Sequence, residues 1–239
     1  MPGRDTPRLA LLAGGLATRL RPLTEKMPKS LISVGGAPFI AHQLEMIRAE
    51  GIDEVVICAG HMWEQIRDFV GDGSAFGLAV DYSLDGEKSL GTGGALVKAL
   101  PKLGPEFFVM YGDSYLPTRF APVLDYFRNT QAAALMTVFR NEGQWDRSNV
   151  AFVHGKIRAY DKKNQSLDMH YIDYGLGLFH AGAFAAYAYG GAVDLADVYQ
   201  DLLAQGRLAG YEVRERFYEI GSHHGIRETD ELLSRRTGT

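Results

Sequence analysis

Cysteine is almost missing: Cys58 is the single one in 239 residues. That excludes a disulfide framework and a cysteine-ligated zinc site. No stretch is apolar for the length of a membrane span. Basic charge is not in excess either, with 25 Lys+Arg against 29 Asp+Glu and a net of −4. A nucleic-acid binder that works by neutralising many phosphates is therefore not expected. What is present is ordinary for a folded chain: 46% hydrophobic, 11% aromatic and 23% charged residues, too apolar for disorder. The length allows a sizeable core. No repeat, low-complexity tract or linker interrupts it, so residues 1–239 read as one domain.

The charge is unevenly spread. Arg4, Arg8, Arg19, Arg21, Lys26 and Lys29 face only Asp5 and Glu25 within the first thirty residues, leaving 19 basic against 27 acidic side chains elsewhere. A signal peptide does not account for this head. The apolar run Leu9 to Ala17 is broken by Gly14-Gly15, and Arg19 and Arg21 stand where small cleavage-site residues belong. The expected location is cytoplasmic. The better reading is a buried strand, Leu9 to Ala13, ended by the glycine pair.

A polar loop follows to about residue 30, and then helices and strands alternate. Pro38 suits a first helical turn, and Phe39, Ile40, Leu44 and Ile47 recur at helical spacing up to Gly51. Val55 to Cys58 is a short apolar strand. Trp63, Ile66, Phe69 and Val70 mark a second helix before Gly71-Asp72-Gly73. Leu78 to Tyr82 reads as a strand, residues 92–100 as a helix capped before Pro101, and Phe107 to Tyr111 as a fourth strand ending at Gly112-Asp113. Nearly all-apolar strands alternating with helices predict a parallel sheet covered on both faces. The second half adds a strand from Ala132 to Phe139, a hairpin over 149–160 turning at His154-Gly155, and alternating residues over 169–181. A helix over Leu195–Leu203, a strand over Leu208–Val213 and a last helix from His224 to Ser234 complete it. The expected class is α/β, a Rossmann-like mixed and mainly parallel sheet with helices on both faces.

Open sheets of this kind bind ligands beyond the carboxyl ends of their strands. The segment Leu12-Ala13-Gly14-Gly15-Leu16-Ala17-Thr18-Arg19-Leu20-Arg21-Pro22-Leu23-Thr24 lies there and runs on to Met27-Pro28-Lys29-Ser30-Leu31. Glycines let backbone N–H groups approach phosphate oxygens. Arg19 supplies a planar fork of donors and Lys29 a compact charge. The segment is neither a G-x-G-x-x-G fingerprint nor a Walker A loop, which disfavours a dehydrogenase and a P-loop NTPase.

With Val34-Gly35-Gly36-Ala37-Pro38, this run resembles the signature of sugar-1-phosphate nucleotidyltransferases. Ala17 replaces a frequent glycine, and Ser30 a commoner proline or alanine. Leu90-Gly91-Thr92-Gly93-Gly94-Ala95-Leu96 resembles the family's base-contacting loop, nearest to guanylyltransferases acting on heptose or mannose 1-phosphate. The resemblance implies a GT-A-like fold. It assigns nucleotide binding to Leu12, Ala13, Gly14, Gly15, Thr18, Arg19, Gly91, Thr92 and Gly93. Arg19, Lys29 and Asp113 become the catalytic set, and Asp113 with Glu219 in Tyr218-Glu219-Ile220-Gly221-Ser222 the carboxylates for Mg2+. Asp161 and Lys162 stand at the sugar-phosphate segment, with Asp173 and Gly175 at the sugar-contacting strand. At that segment Asp161 replaces Glu and Lys163 replaces Pro. Glu219 is one methylene longer than the family's Asp.

His223-His224 does not read as a metal site, because neighbours on a helix diverge and no third ligand is evident. The implied reaction joins an NTP, GTP first, to a sugar 1-phosphate and releases pyrophosphate. The nucleophile is already anionic, so no catalytic His or Cys is needed. UTP, CTP or dTTP as donor stays open, as does a non-catalytic sugar-nucleotide-binding relative. A nucleic-acid or membrane partner is not expected, and a homodimer stays open. The β-helix domain that longer relatives carry is not expected.

Overall fold

Alternation of buried residues along four central strands decides where the layers lie. The computed structural model describes residues 6–15, 18–86, 88–187 and 191–237. In chain order come β1 (Arg8–Leu12), β2 (Ser33–Val34), β3 (Ala37–Pro38), α1 (Phe39–Ala49), β4 (Glu54–Ala59), α2 (Trp63–Val70), β5 (Ala79–Leu84), α3 (Gly91–Leu103) and β6 (Glu106–Tyr111). The second half holds β7 (Ser114–Tyr115), α4 (Phe120–Arg128), β8 (Ala134–Arg140), β9 (Val150–Val153), β10 (Lys156–Tyr160), β11 (Tyr171–His180), α5 (Leu195–Ala204), β12 (Leu208–Val213), β13 (Tyr218–Glu219) and α6 (His223–Thr237).

The order β5-β4-β1-β6 is parallel throughout, with Leu9 opposite Val55 and Phe108. Then β11 pairs antiparallel with β6, β8 and β9, and β12 lies parallel to β8. The antiparallel additions expected of the second half are thus built onto the parallel half as one mixed sheet. Successive side chains of a strand point to opposite faces. Leu9, Leu11, Val55, Ile57, Phe108 and Met110 accordingly pack under α1, α2 and α4. Ala10, Val56, Cys58, Phe107 and Val109 pack under α3 and α5. Each large side chain so buried is worth about 1.5–3 kcal/mol. A smaller cluster of Val34, Phe39, Tyr115, Ile220 and Leu233 seats α6.

The hairpin turn falls at His154 and Gly155, both with positive φ (50° and 75°), the pairing that a two-residue turn with the strands' own twist requires. Two features differ from expectation. α3 runs on through Pro101 to Leu103, because burying Leu103, 1% exposed, offsets one lost backbone hydrogen bond. α4 and the two-residue pairs β2–β3 and β7–β13 had no counterpart in the sequence reading. No helix among the described residues is long and apolar enough to cross a membrane.

Candidate active site

Two cavities open at the carboxyl ends of the parallel strands. The first, about 230 Å³, is lined by Leu12, Ala13, Gly14 and Gly15 after β1, by Lys29 and by Gly91 and Thr92 at the start of α3. Backbone bonds fix its floor: Ala13 N–H donates to the Cys58 carbonyl (2.8 Å) and Gly112 N–H to that of Leu12 (2.9 Å). Gly112 is obligatory there, since a Cβ would lie 2.6 Å from the Leu12 oxygen. The sequence position Ala17 lies outside the described residues, as does Leu16. Thr18 and Arg19 begin a single 3-10 turn, with Arg19 exposed.

Two glycines at the start of α3 are engaged within the protein. Gly93 and Gly94 N–H both donate to the Val193 carbonyl, at 2.9 and 3.1 Å. Thr92 Oγ1 donates to Asp194 Oδ1 (3.1 Å) and accepts from Leu195 N–H (2.8 Å). Asp194 is the N-cap of α5. These donors clasp two helices together, so the amide of Gly93 is not available to a nucleotide. Gly91 and Thr92 still line the cavity.

Asp113 follows β6 and meets Lys29 at 2.7 Å through Oδ2, while Ser114 Oγ lies 3.3 Å from Oδ1. Burial pushes the Asp113 carboxyl up, but the charge and hydrogen bond of Lys29 outweigh it and hold the pKa below its ordinary value. β13 brings Glu219 opposite Ser114, and Ile220 N–H donates to the Asp113 carbonyl (2.9 Å). Glu219 accepts from Ser222 Oγ (2.6 Å) and from the Gly221 N–H. It therefore sits beside the first turn of α6, where negative charge is favoured. The point where a Cβ of Gly221 would stand lies 2.7 Å from Glu219 Oε2, 3.3 Å from Lys29 Nζ and 3.8 Å from Arg19 Nη2. Three charges contributed by distant parts of the chain thus surround one glycine.

The second cavity, about 490 Å³, shares Tyr111 and Asp113 with the first. Arg19, Lys162, Asp173, Gly175 and Glu219 line it. The Asp173 side chain is only 4% exposed and accepts from Tyr111 OH (3.2 Å) and Tyr160 OH (3.3 Å). Burial, with Asp173 next, drives both phenols far above their ordinary pKa and keeps them donors. Lys162 Nζ lies 3.3 Å from Tyr111 OH and 3.9 Å from Asp173. Asp161 is not brought here. Its carboxylate accepts from the N–H groups of Lys163 (2.7 Å) and Asn164 (2.9 Å), and it lines a separate groove. The adjacent Lys162 alone reaches the cavity, because the half-buried Asp161 closes the turn.

Two hard carboxylates, Asp113 in the turn before β7 and Glu219 on the paired β13, are a donor set that suits magnesium, which takes one or two carboxylates and completes its shell with water and phosphate oxygens. Among the described residues no cluster of three or more His, Cys, Asp or Glu is placed to hold a metal without such help. Several lining residues escaped the sequence reading: Asp85 in the first cavity, Tyr111 in both and Trp145 in the second. Asp85 had a signal, since it follows β5 as Asp113 follows β6.

The nucleotidyl transferase family matches residues 10–234. The chain is 28% identical to the N-acetylmuramate alpha-1-phosphate uridylyltransferase of Neisseria meningitidis serogroup B, over 93% of this chain and 96% of that one. A mannose-1-phosphate guanylyltransferase of Mycobacterium tuberculosis is 35% identical over 54% of this chain and 36% of its own. The inositol-1-phosphate CTP transferase from T. maritima superposes with a TM-score of 0.81 at 17% identity, covering 97% and 96% of the two chains. These relatives differ in base and in acceptor. What they share is the family, and this chain belongs to the nucleotidyl transferases.

Proposed function

We propose that this protein transfers a nucleotidyl group from an NTP to a sugar 1-phosphate, giving an NDP-sugar and pyrophosphate. The observation that carries the reading is the pair of cavities meeting at Asp113, with Lys29 bound to it and Arg19 nearby. The first cavity takes the NTP and the second the acceptor. A phosphate oxygen of the sugar 1-phosphate attacks the α-phosphorus. The new P–O bond forms as the bond to the β-phosphate oxygen breaks, and pyrophosphate leaves with the electron pair. Because the nucleophile is already anionic, the side chains have charge to offset rather than a proton to remove. A unit-charge contact at ~4 Å is worth about 4 kcal/mol at an effective dielectric of ~20. Lys29 would meet the reacting phosphate, Arg19 the leaving phosphates and Lys162 the acceptor phosphate. Asp113 and Glu219 would hold Mg2+, which when bound neutralises phosphate charge. Positioning and electrostatics then supply the catalysis.

GTP is the donor we favour, on the strength of Asp85. Its carboxylate lines the first cavity and accepts one backbone bond, from Leu90 N–H at 3.2 Å. Burial raises its pKa, a cost that donors from a ligand would relieve. Guanine offers two adjacent N–H donors to such an acceptor, whereas uracil offers one between two repelling carbonyls. A UTP-dependent reaction is the second reading, favoured by the relative that matches nearly end to end. The site residues themselves are tested by Lys29→Ala and Arg19→Ala, each expected to lose about 10²–10³ in turnover. Substrates are tested by pyrophosphate release from GTP, UTP, CTP and dTTP against mannose, glucose, N-acetylmuramate and D-glycero-D-manno-heptose 1-phosphates. Release with no pair above the blank, magnesium present, would overturn the enzyme reading. GDP-heptose or GDP-mannose is the expected kind of product, a precursor for lipopolysaccharide or capsule.

A further inference from the structure

The rim of the second cavity carries an aromatic arrangement for which neither the charge chemistry nor the core has a use. Trp145 lines that cavity and is 41% exposed. The Arg216 guanidinium lies 3.4 Å from its ring centroid, and Tyr218 flanks the same guanidinium at 4.6 Å. Arg216 is held from α6 by Glu228 at 2.5 Å, and its buried Nε has no hydrogen-bond partner. Leaving a buried N–H unsatisfied is expensive. Here one hydrogen bond from Nη2 to Glu228 fixes the planar group, and its face is given to stacking.

The loop that bears Trp145 is also fixed from within. Asn141, 1% exposed, donates to the Asp146 carbonyl (2.7 Å) and to Ser148 Oγ (3.0 Å), and accepts from Trp145 N–H (3.3 Å). Backbone and ring are therefore both set before any ligand arrives. Arg216 covers one face of the indole, so the exposed remainder is the surface turned away from it. A pyranose has the complementary shape: one side rich in C–H groups, with hydroxyls at its edge. A rigid aromatic plane recognises such a side at low entropic cost.

We infer that Trp145 is the stacking wall for the sugar ring of the acceptor, and that Arg216 is the positioning residue that holds it. The inference rests on the reading of this cavity as a sugar 1-phosphate site. Asp173 and Lys162, which line the same cavity, then meet the polar edge and the phosphate, and Trp145 selects for an unobstructed ring face.

The test uses the chain's two tryptophans, Trp63 and Trp145. Trp63→Phe leaves Trp145 as the only indole, and its fluorescence is followed as each sugar 1-phosphate of the panel is added. In parallel, KM for acceptor and for NTP is measured in Trp145→Ala, Trp145→Phe and Arg216→Met. The expected result is a saturable fluorescence change with the acceptor that turns over. Acceptor KM should rise about tenfold in Trp145→Ala with kcat and NTP KM held, the pattern of lost uniform binding. Trp145→Phe should recover most of it, and Arg216→Met should fall between. Turnover with no fluorescence change and an unaltered acceptor KM in Trp145→Ala overturns the stacking role and leaves the enzyme reading standing. Neither turnover nor fluorescence change with any acceptor overturns both.

Discussion

Replacing Lys29 by methionine removes one charge and little volume, and its consequences separate catalysis from folding. The ammonium lies 2.7 Å from Asp113 Oδ2, with the lysine side chain 16% exposed and the aspartate 40%. Exposed pairs contribute about 0.2–1 kcal/mol, whereas breaking buried ones costs about 3–5 kcal/mol. A pair of mixed exposure belongs between, at about 1–2 kcal/mol, small beside a typical total of ~5–15 kcal/mol. The variant should stay folded. Turnover should nevertheless fall about 10²–10³-fold, the loss of roughly 2.7–4 kcal/mol seen when one preorganised donor is removed. Because Lys29 holds the Asp113 pKa down against burial, the wild-type carboxylate adds stability above its unfolded pKa and loses it as pH falls through the lower folded value. In the variant only the hydrogen bonds of Ser114 and the backbone oppose burial, and the carboxyl rises. The stability gap between the two proteins should therefore be widest near neutrality and narrow as pH drops through the carboxylate range. Pyrophosphate release under saturating substrates reads the first effect, and urea denaturation at pH 7 and pH 4 reads the second. Turnover within about threefold of wild type, less than 1 kcal/mol of barrier, refutes the role given to Lys29.

Three further substitutions probe other links. In Gly221→Ala the new Cβ meets mobile side-chain ends, Glu219 Oε2 and Lys29 Nζ. Melting temperature should hold while turnover falls about tenfold or more; an active variant would mean that this cluster is not at the reacting centre. Asp85→Asn replaces an acceptor-only group and should lower kcat/KM for GTP about 10–100-fold relative to UTP. Since burial raises the Asp85 pKa, its charged form subtracts stability at pH 7, so this variant should melt at or above the wild-type temperature. A lower melting point with unchanged base preference counts against it on both grounds. Thr92→Val breaks the contacts to Asp194 and Leu195 N–H and should cost about 1–2 kcal/mol in denaturant unfolding; an unchanged midpoint would show that the clasp between α3 and α5 is not stabilising.

Three strands of the parallel half, β1, β4 and β6, could be read directly because each is a short, mostly apolar run with buried residues at its centre. The turn at His154-Gly155 could be read because few pairs tolerate its backbone. The β7–β13 pair could not, since two residues carry no period and their partners stand a hundred positions apart. Nor could the contact of Lys29 with Asp113, which the parallel order of β1 and β6 brings about. The contacts of Gly93 and Gly94 with the Val193 carbonyl were not legible for a physical reason: a glycine that admits a phosphate and one that admits a neighbouring carbonyl look alike in sequence. Asp161 and Lys162 show the opposite difficulty, adjacent residues of similar promise that one turn sends to different places.

Each of the two loops over the second cavity is organised chiefly by one of its own side chains. Residues 141–148 are organised around the side chain of Asn141, and residues 161–164 around that of Asp161. Neither of these two sets of bonds draws on β6 or β7, the strands that flank Asp113. The loop over 141–148 can thus vary in length and tip residues with little strain on the sheet beneath it, whereas the loop over 161–164 is tied to β6 through Lys162 and Tyr111. A scaffold of this kind can change its acceptor without relearning its reaction, and grafting such a loop between relatives is the natural route to new sugar nucleotides.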